Sequence, residues 1–325
     1  MKLLMVGDVM LGRLVNQILT HEPPDYPWGG TFAMFAAADF RLCNLECVMA
    51  DRGRPWSVTP KLFHFRSDAK NVAVLRAAHI DCVSLANNHT LDFEDEALFE
   101  MLRILDAASI GHAGAGEDLA ESSRAAITFV QGRRIGVIAF TDNEPAWEAE
   151  ESKPGIFYVP IDVHDTRAKK LLEMIRTCKA EVDFLIVSAH WGPNWGYRPP
   201  AEHPRFARAL IEAGADAIFG HSGHVCRGIE LYQGKPIIYC AGNFIDDYAV
   251  DEVERNDQSW IFVLETDGSQ VQRLLLYPTV IRDFQARLAP PGEAEAMAAN
   301  MQRLCTELIT KAVWQDKERY LSIEV

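Results

Sequence analysis

Five short segments of this chain each close an apolar, strand-like run with a residue type that binds metals. They are Gly7-Asp8-Val9-Met10, Asn44-Leu45-Glu46, Asn87-Asn88-His89, His190-Trp191-Gly192 and Gly220-His221-Ser222-Gly223-His224. Ligand-type side chains directly after buried strands point to an α/β sheet, because strand ends are where such a sheet builds its site. Together the segments supply two carboxylates, an amide and up to four imidazoles. That mixture suits one or two divalent ions of the Mn, Fe or Zn type.

The intervening sequence alternates in the same sense. Leu3–Val6, Phe40–Asn44 and Asp81–Leu85 read as strands, as does Lys61–Arg66. Asp68–Ala78 reads as a helix with Asp68 as N-cap, and Phe93–Ala108 carries Leu98, Met101, Leu102 and Leu105 on one face. Ala125–Val130 and Arg134–Phe140 flank Gln131-Gly132-Arg133 and predict a hairpin. Asp165–Thr177 and Phe206–Ala213 read as helices that alternate with strands at Asp183–Ser188 and Ala217–Phe219. Two further hairpins follow, around Gln233-Gly234-Lys235 and Asp267-Gly268, then a helix near 293–311 and a short tail. With no linker and no repeat, residues 1–325 are expected to form one α/β domain of two stacked mixed sheets.

Bulk properties exclude several classes. A net charge of -14 argues against binding nucleic acid or an anionic membrane surface. No apolar run approaches the roughly 20 residues of a membrane span, so stable membrane insertion is not expected. Seven cysteines without a CxxC pair suggest reduced thiols in a cytoplasmic protein.

Taken singly, the ligand candidates are ambiguous. Asp8 reads as well as an N-cap as it does a ligand. Glu46 follows a hydrophobic strand, where an acid needs a partner or a cation. Asn88 alone would suit a turn, and His190 alone a structural role. His89 followed by Asp92 suggests an imidazole oriented by a carboxylate. His221 and His224, three apart in a Gly-flanked turn, are the strongest local metal signal. His21, His64, His79, His112, His164 and His203 do not follow strong apolar strands and are read as structural or surface residues.

Taken together, Gly7-Asp8-Val9-Met10-Leu11-Gly12-Arg13, Asn44-Leu45-Glu46, Asn87-Asn88-His89-Thr90-Leu91-Asp92, His190-Trp191-Gly192, Gly220-His221-Ser222-Gly223-His224-Val225 and Gly242-Asn243-Phe244 resemble the CapA family. That family is named for poly-gamma-glutamate capsule synthesis and resembles the calcineurin-like metallophosphoesterases. The resemblance implies a four-layer α/β/β/α sandwich. It implies Glu46 as bridging carboxylate, Asn88, His190 and His221 completing one metal site, Asp8 and His224 in the other, and His89 as general acid. One departure stands out. Where phosphoesterases usually carry Asp-x-His, this chain has Asp8-Val9-Met10, and a thioether is a poor ligand for hard divalent ions.

Two chemistries suit such a centre. Hydrolysis of an ester or amide uses an activated water with His89 as acid. Epimerisation at an α-carbon uses acid/base groups such as Asp8, His89 and His224, and the resemblance allows it, since some CapA-like proteins act as peptide epimerases. A non-catalytic binding module is the third reading. The expected substrate is a small molecule or peptide. Arg13, Arg198 and Arg227 are candidate anion clamps, Trp191 and Trp195 candidate pocket walls, and Asp246 and Asp247 candidate acid or amine contacts.

Overall fold

The computed structural model describes residues 1–325. Its larger sheet runs in the order Val313–Gln315, Tyr320–Glu324, Val271–Arg282, Gln258–Thr266, Lys2–Val9, Phe40–Leu45, Cys82–Ser84, Gly111–Ala113. Two more strands attach at its side, Asn243–Ile245 against Lys2–Val9 and Gln285–Leu288 against Val271–Arg282. The second sheet runs Ile229–Tyr232, Lys235–Ile238, Ala217–His221, Phe184–His190, Arg133–Thr141, Ala126–Val130. Both sheets are mixed: parallel at the βα units, antiparallel at the hairpins.

Strand alternation assigns each side chain to a layer. Leu3, Met5, Phe40 and Leu42 face inward and meet Val137, Phe184, Ile186 and Phe219 of the second sheet in one core between the sheets. Leu4, Val6 and Cys43 face the other way, onto Val15, Phe35, Leu75, Leu98 and Met101 of the covering helices. Ile138, Phe140, Leu185 and Val187 pack outward against Leu171, Ile175, Phe206 and Leu210. Three apolar interfaces thus separate helix, sheet, sheet and helix, the expected α/β/β/α order. Each large side chain so buried contributes about 1.5–3 kcal/mol.

Several elements differ from the sequence reading. The run Lys61–Arg66 is not a strand: pairing is confined to Arg66–Ser67 with Val48–Met49, and Lys61–Phe65 is loop. Asp68 does not cap a helix; it accepts from Asn16 Nδ2 at 3.1 Å instead, and the helix begins as a 3₁₀ turn. The tail after the last helix forms two strands, Val313–Gln315 and Tyr320–Glu324, that extend the larger sheet. That last helix, Pro291–Glu307, puts Ala294, Met297, Met301 and Cys305 into the core between the sheets. The hairpin turns hold as expected, with Gln131 and Gly132 both at positive φ (49° and 78°). No helix is long and apolar enough to cross a membrane.

Candidate metal centre

Strand register brings the five segments together. Asp8 lies opposite Asn44 on one side and Asn243 on the other. His190 lies opposite His221 across the second sheet. The pairing of the first strand slips at Gly7, between Val6 and Asp8. A Cβ at Gly7 would stand 1.9 Å from the Gly242 oxygen, so only glycine permits this approach. The slip sets Asp8 beside the short Asn243–Ile245 strand, and the Asp8 amide donates to the Gly242 carbonyl at 3.0 Å.

Ligand-type atoms of Asp8, Glu46 and His224 all lie within 4.8 Å of one another. His221 Nδ1 stands 3.4 Å from Asp8 Oδ1, and its Nε2 is 3.1 Å from Ser188 Oγ. His224 sits at φ 56°, a left-handed conformation unusual for a side-chain-bearing residue, and its Nδ1 is 2.9 Å from Asn243 Oδ1. The donor set is also unsatisfied. Asp8 Oδ2, both Glu46 carboxylate oxygens, Asn88 Oδ1 and His221 Nδ1 are buried without a hydrogen-bond partner. Native proteins rarely leave such atoms orphaned, and each one costs stability unless something binds it. Carboxylate, imidazole and amide donors of this kind fit a divalent cation of the Mn, Fe or Zn type.

The electrostatics agree. Burial pushes the Glu46 carboxyl well up, and the neighbouring Asp8 adds to this. Burial opposes ionisation of Asp8 too, but the adjacent His221 imidazole, 3.4 Å away, outweighs it and holds that carboxyl at about 2. Burial pulls His190 down to about 3, so the ring is neutral and ligand-ready.

Next to this cluster, His89 Nδ1 lies 2.6 Å from Asp92 Oδ2. The imidazole stacks on Phe65 with ring centroids 3.9 Å apart. Burial, reinforced by Lys61, drives His89 well below the usual histidine range. Burial raises Asp92 to about 7 against the opposing charge of Lys61. Lys61 itself is buried, donating to the Asn88 carbonyl at 2.6 Å and to Glu144 Oε1 at 3.1 Å, with Asp92 Oδ1 at 3.4 Å.

A cavity of about 580 Å³ opens here, lined by Asn88, His89, His224, Arg13, Lys61, Phe63, Trp195 and Tyr248 among others. A larger groove of about 740 Å³ runs beside the Ala126–Val130 strand, but none of the strand-end ligand candidates lines it.

Of the expected substrate contacts, Arg13 and Trp195 line the cavity. Arg13 Nε is 3.3 Å from Asp247 Oδ2, so Asp247 is already engaged by this arginine and by the Leu14 amide. Asp246 is buried, raised to about 7 by burial, with Oδ2 free of partners. Three residues stand elsewhere. Trp191 is buried in the outer core and donates from Nε1 to the Tyr239 carbonyl at 2.9 Å. Arg198 pairs with Glu307 on the surface at 2.9 Å. Arg227 is buried, and its guanidinium donates to the carbonyls of Gly196, Pro193 and Trp195, each at 3.0 Å. It braces the loop that carries Trp195 and does not meet the cavity. Met10 is buried in the core, and its sulfur accepts from the Gly12 amide at 3.0 Å. Cys43 and Cys47 are core residues too, with thiols pushed up by burial.

The sequence reading missed Lys61, Phe65 and Tyr248; it assigned the first two to a strand, whereas the structure places them in a loop at the cavity. It also assigned no role to Asn44 and Asn87, although a buried amide at a strand end demands partners.

Comparison with known proteins shows the family. Residues 2–248 match the family described as bacterial capsule synthesis protein PGA_cap. The chain belongs to that family. A probable polyglutamine synthesis accessory protein of Mycobacterium tuberculosis is 32% identical, covering 90% of this chain and 87% of its own. The capsule biosynthesis protein CapA of Bacillus anthracis is 28% identical over 75% of this chain and 59% of its own length. Among solved structures, a hypothetical protein from Thermus thermophilus superposes with a TM-score of 0.52 at 16% identity. It covers 86% of this chain and 98% of its own, and it shares the fold.

Proposed function

We propose that this CapA-family chain is a metal-dependent enzyme acting on an ester or amide of a small molecule or peptide. The observation that carries this is the set of orphaned ligand atoms on Asp8, Glu46, Asn88 and His221, placed beside the buried His89–Asp92 pair. When bound, a divalent cation supplies a water of lowered pKa and polarises a substrate oxygen. Asp8, Glu46, Asn88, His190, His221 and His224 would hold it. His89 faces the cavity and handles the proton of the reacting group, while Asp92 fixes its ring orientation. Arg13 and Trp195 receive the substrate. The relatives' names connect the family with capsule and polyglutamine synthesis, and a γ-glutamyl amide is one substrate of the proposed class. Seven unpaired cysteines support a reducing, cytoplasmic setting.

One observation favours a second chemistry. Burial holds His89 neutral, and a neutral imidazole is suited to taking a proton, as epimerisation at an α-carbon requires.

Metal analysis after incubation with Mn(II) and removal of excess tests the proposal, followed by turnover of phosphoesters and peptide amides. One or two equivalents with hydrolysis support the first reading. Metal with deuterium uptake at an α-carbon, and no hydrolysis, favours the second. Absence of metal and turnover overturns both and leaves a binding module.

A further inference from the structure

Two buried asparagines join the metal-ligand carboxylate to the His89 segment. Asn87 Oδ1 accepts from the His89 backbone amide at 3.0 Å. Asn87 Nδ2 donates to the Leu45 carbonyl at 2.8 Å and to Asn44 Oδ1 at 3.0 Å. Asn44 Nδ2 in turn donates to Asp8 Oδ1 at 2.8 Å and faces His190 Nδ1 at 3.4 Å. Asn44 and Asn87 are both completely buried.

The direction of this chain is not arbitrary. A backbone N–H can only donate and a backbone carbonyl can only accept. The His89 amide and the Leu45 carbonyl therefore fix which end of Asn87 is oxygen and which is nitrogen. Asn87 then fixes Asn44, whose NH₂ must point at Asp8. A flipped Asn44 would set its carbonyl against a carboxylate in a buried site, where unsatisfied or repelling polar groups are costly.

We propose that Asn44 and Asn87 form a two-amide brace that aims Asp8 for metal binding and ties it to the His89 segment. Asn44 occupies Oδ1 of Asp8 and leaves Oδ2, which has no protein partner, for the cation. Asn44 touches ligands and Asn87 touches none of the carboxylates, so both are positioning residues and not catalytic ones. The inference rests on the metal-centre reading above.

The test uses the full chain and Mn(II) alone as probe. Asn44→Ala and Asn87→Ser are compared with the parent by calorimetric titration, electron paramagnetic resonance of bound Mn(II), and thermal melting. The brace requires both folded variants to bind Mn(II) about 10–100-fold more weakly, the usual cost of losing an outer-sphere partner. It also requires a changed resonance line shape for the ion that remains bound. Asn87→Ser is the sharper arm, because loss of affinity there passes through Asn44. Folded variants with parental affinity and line shape overturn the brace and leave the metal centre standing. A parent that binds no Mn(II) overturns both. Should the variants fail to fold, nitrogen NMR of the metal-free parent decides. Asn44 and Asn87 side-chain NH₂ groups held against solvent exchange support the brace, and a freely exchanging Asn44 NH₂ overturns it.

Discussion

Lys61 Nζ stands 3.4 Å from Asp92 Oδ1, on the far side of the carboxylate whose other oxygen meets His89 Nδ1 at 2.6 Å. One buried acid is therefore held between an ammonium and an imidazole. Lys61 also ties down the Asn88 carbonyl and Glu144. A loop residue thus secures both the proton-handling pair and an adjacent ligand candidate.

Replacing Lys61 with Met should destabilise the protein by about 2–4 kcal/mol, because it leaves a buried carboxylate uncompensated. Urea unfolding measures this. Mn(II) stoichiometry should persist, since Lys61 offers no ligand. Unchanged stability would show that the ion pair contributes nothing.

Glu46 should behave in the opposite way. Both its oxygens lack partners, so Glu46→Gln removes an uncompensated buried acid. The metal-free variant should be about 1–3 kcal/mol more stable than the parent. Added Mn(II) should raise the melting temperature of the parent and leave the variant's unchanged. Equal metal-induced shifts in both proteins would remove Glu46 from the centre.

Arg227 and Arg198 should separate cleanly. Arg227→Leu strips the bonds to three loop carbonyls and should cost about 3 kcal/mol or more. Arg198→Ala breaks an exposed pair and should change stability by less than about 0.5 kcal/mol. Chemical denaturation of the two variants checks both. Similar small effects would mean that Arg227 does not brace the Trp195 loop.

His203 sets an acid limit. Its ring is buried against Trp191 without hydrogen-bond partners, and burial, with the charge of Arg227, holds it at about 3. An unfolded histidine titrates near 6.5, so between those values the unfolded chain binds the extra proton. This group's contribution is present above about 6.5 and is lost as pH falls toward 3, by an amount on the order of a few kcal/mol. His203→Phe should melt less steeply with acid between about pH 6.5 and 4. A parental pH dependence would rule out His203 as the cause.

The layered fold was legible because it depends on local patterning. Continuous apolar runs at Leu3–Val6 and Phe184–Val187 mark strands buried on both faces, and Gln131-Gly132 specifies its own turn. The ligand candidates were legible because a polar residue ending an apolar strand is costly without a purpose. Lys61 was not, since a lysine in an irregular loop carries no signal of the carboxylate it meets. Arg198 and Arg227 were indistinguishable for the same reason: each lies near a motif, and only packing sends one to the surface and the other into the interior.

The sequence alone determined the apolar strands that carry the candidate ligands, and that Asp8, Glu46, Asn88, His89, His190, His221 and His224 stand at or just past their ends. These are consequences of residue type and period, which act over a few positions. Tertiary structure decided the rest. Register across two sheets set Asp8 opposite Asn44 and His190 opposite His221. Close packing chose which arginine is buried. The direction of the Asn87–Asn44–Asp8 hydrogen bonds was settled by two backbone groups whose donor and acceptor roles cannot be exchanged.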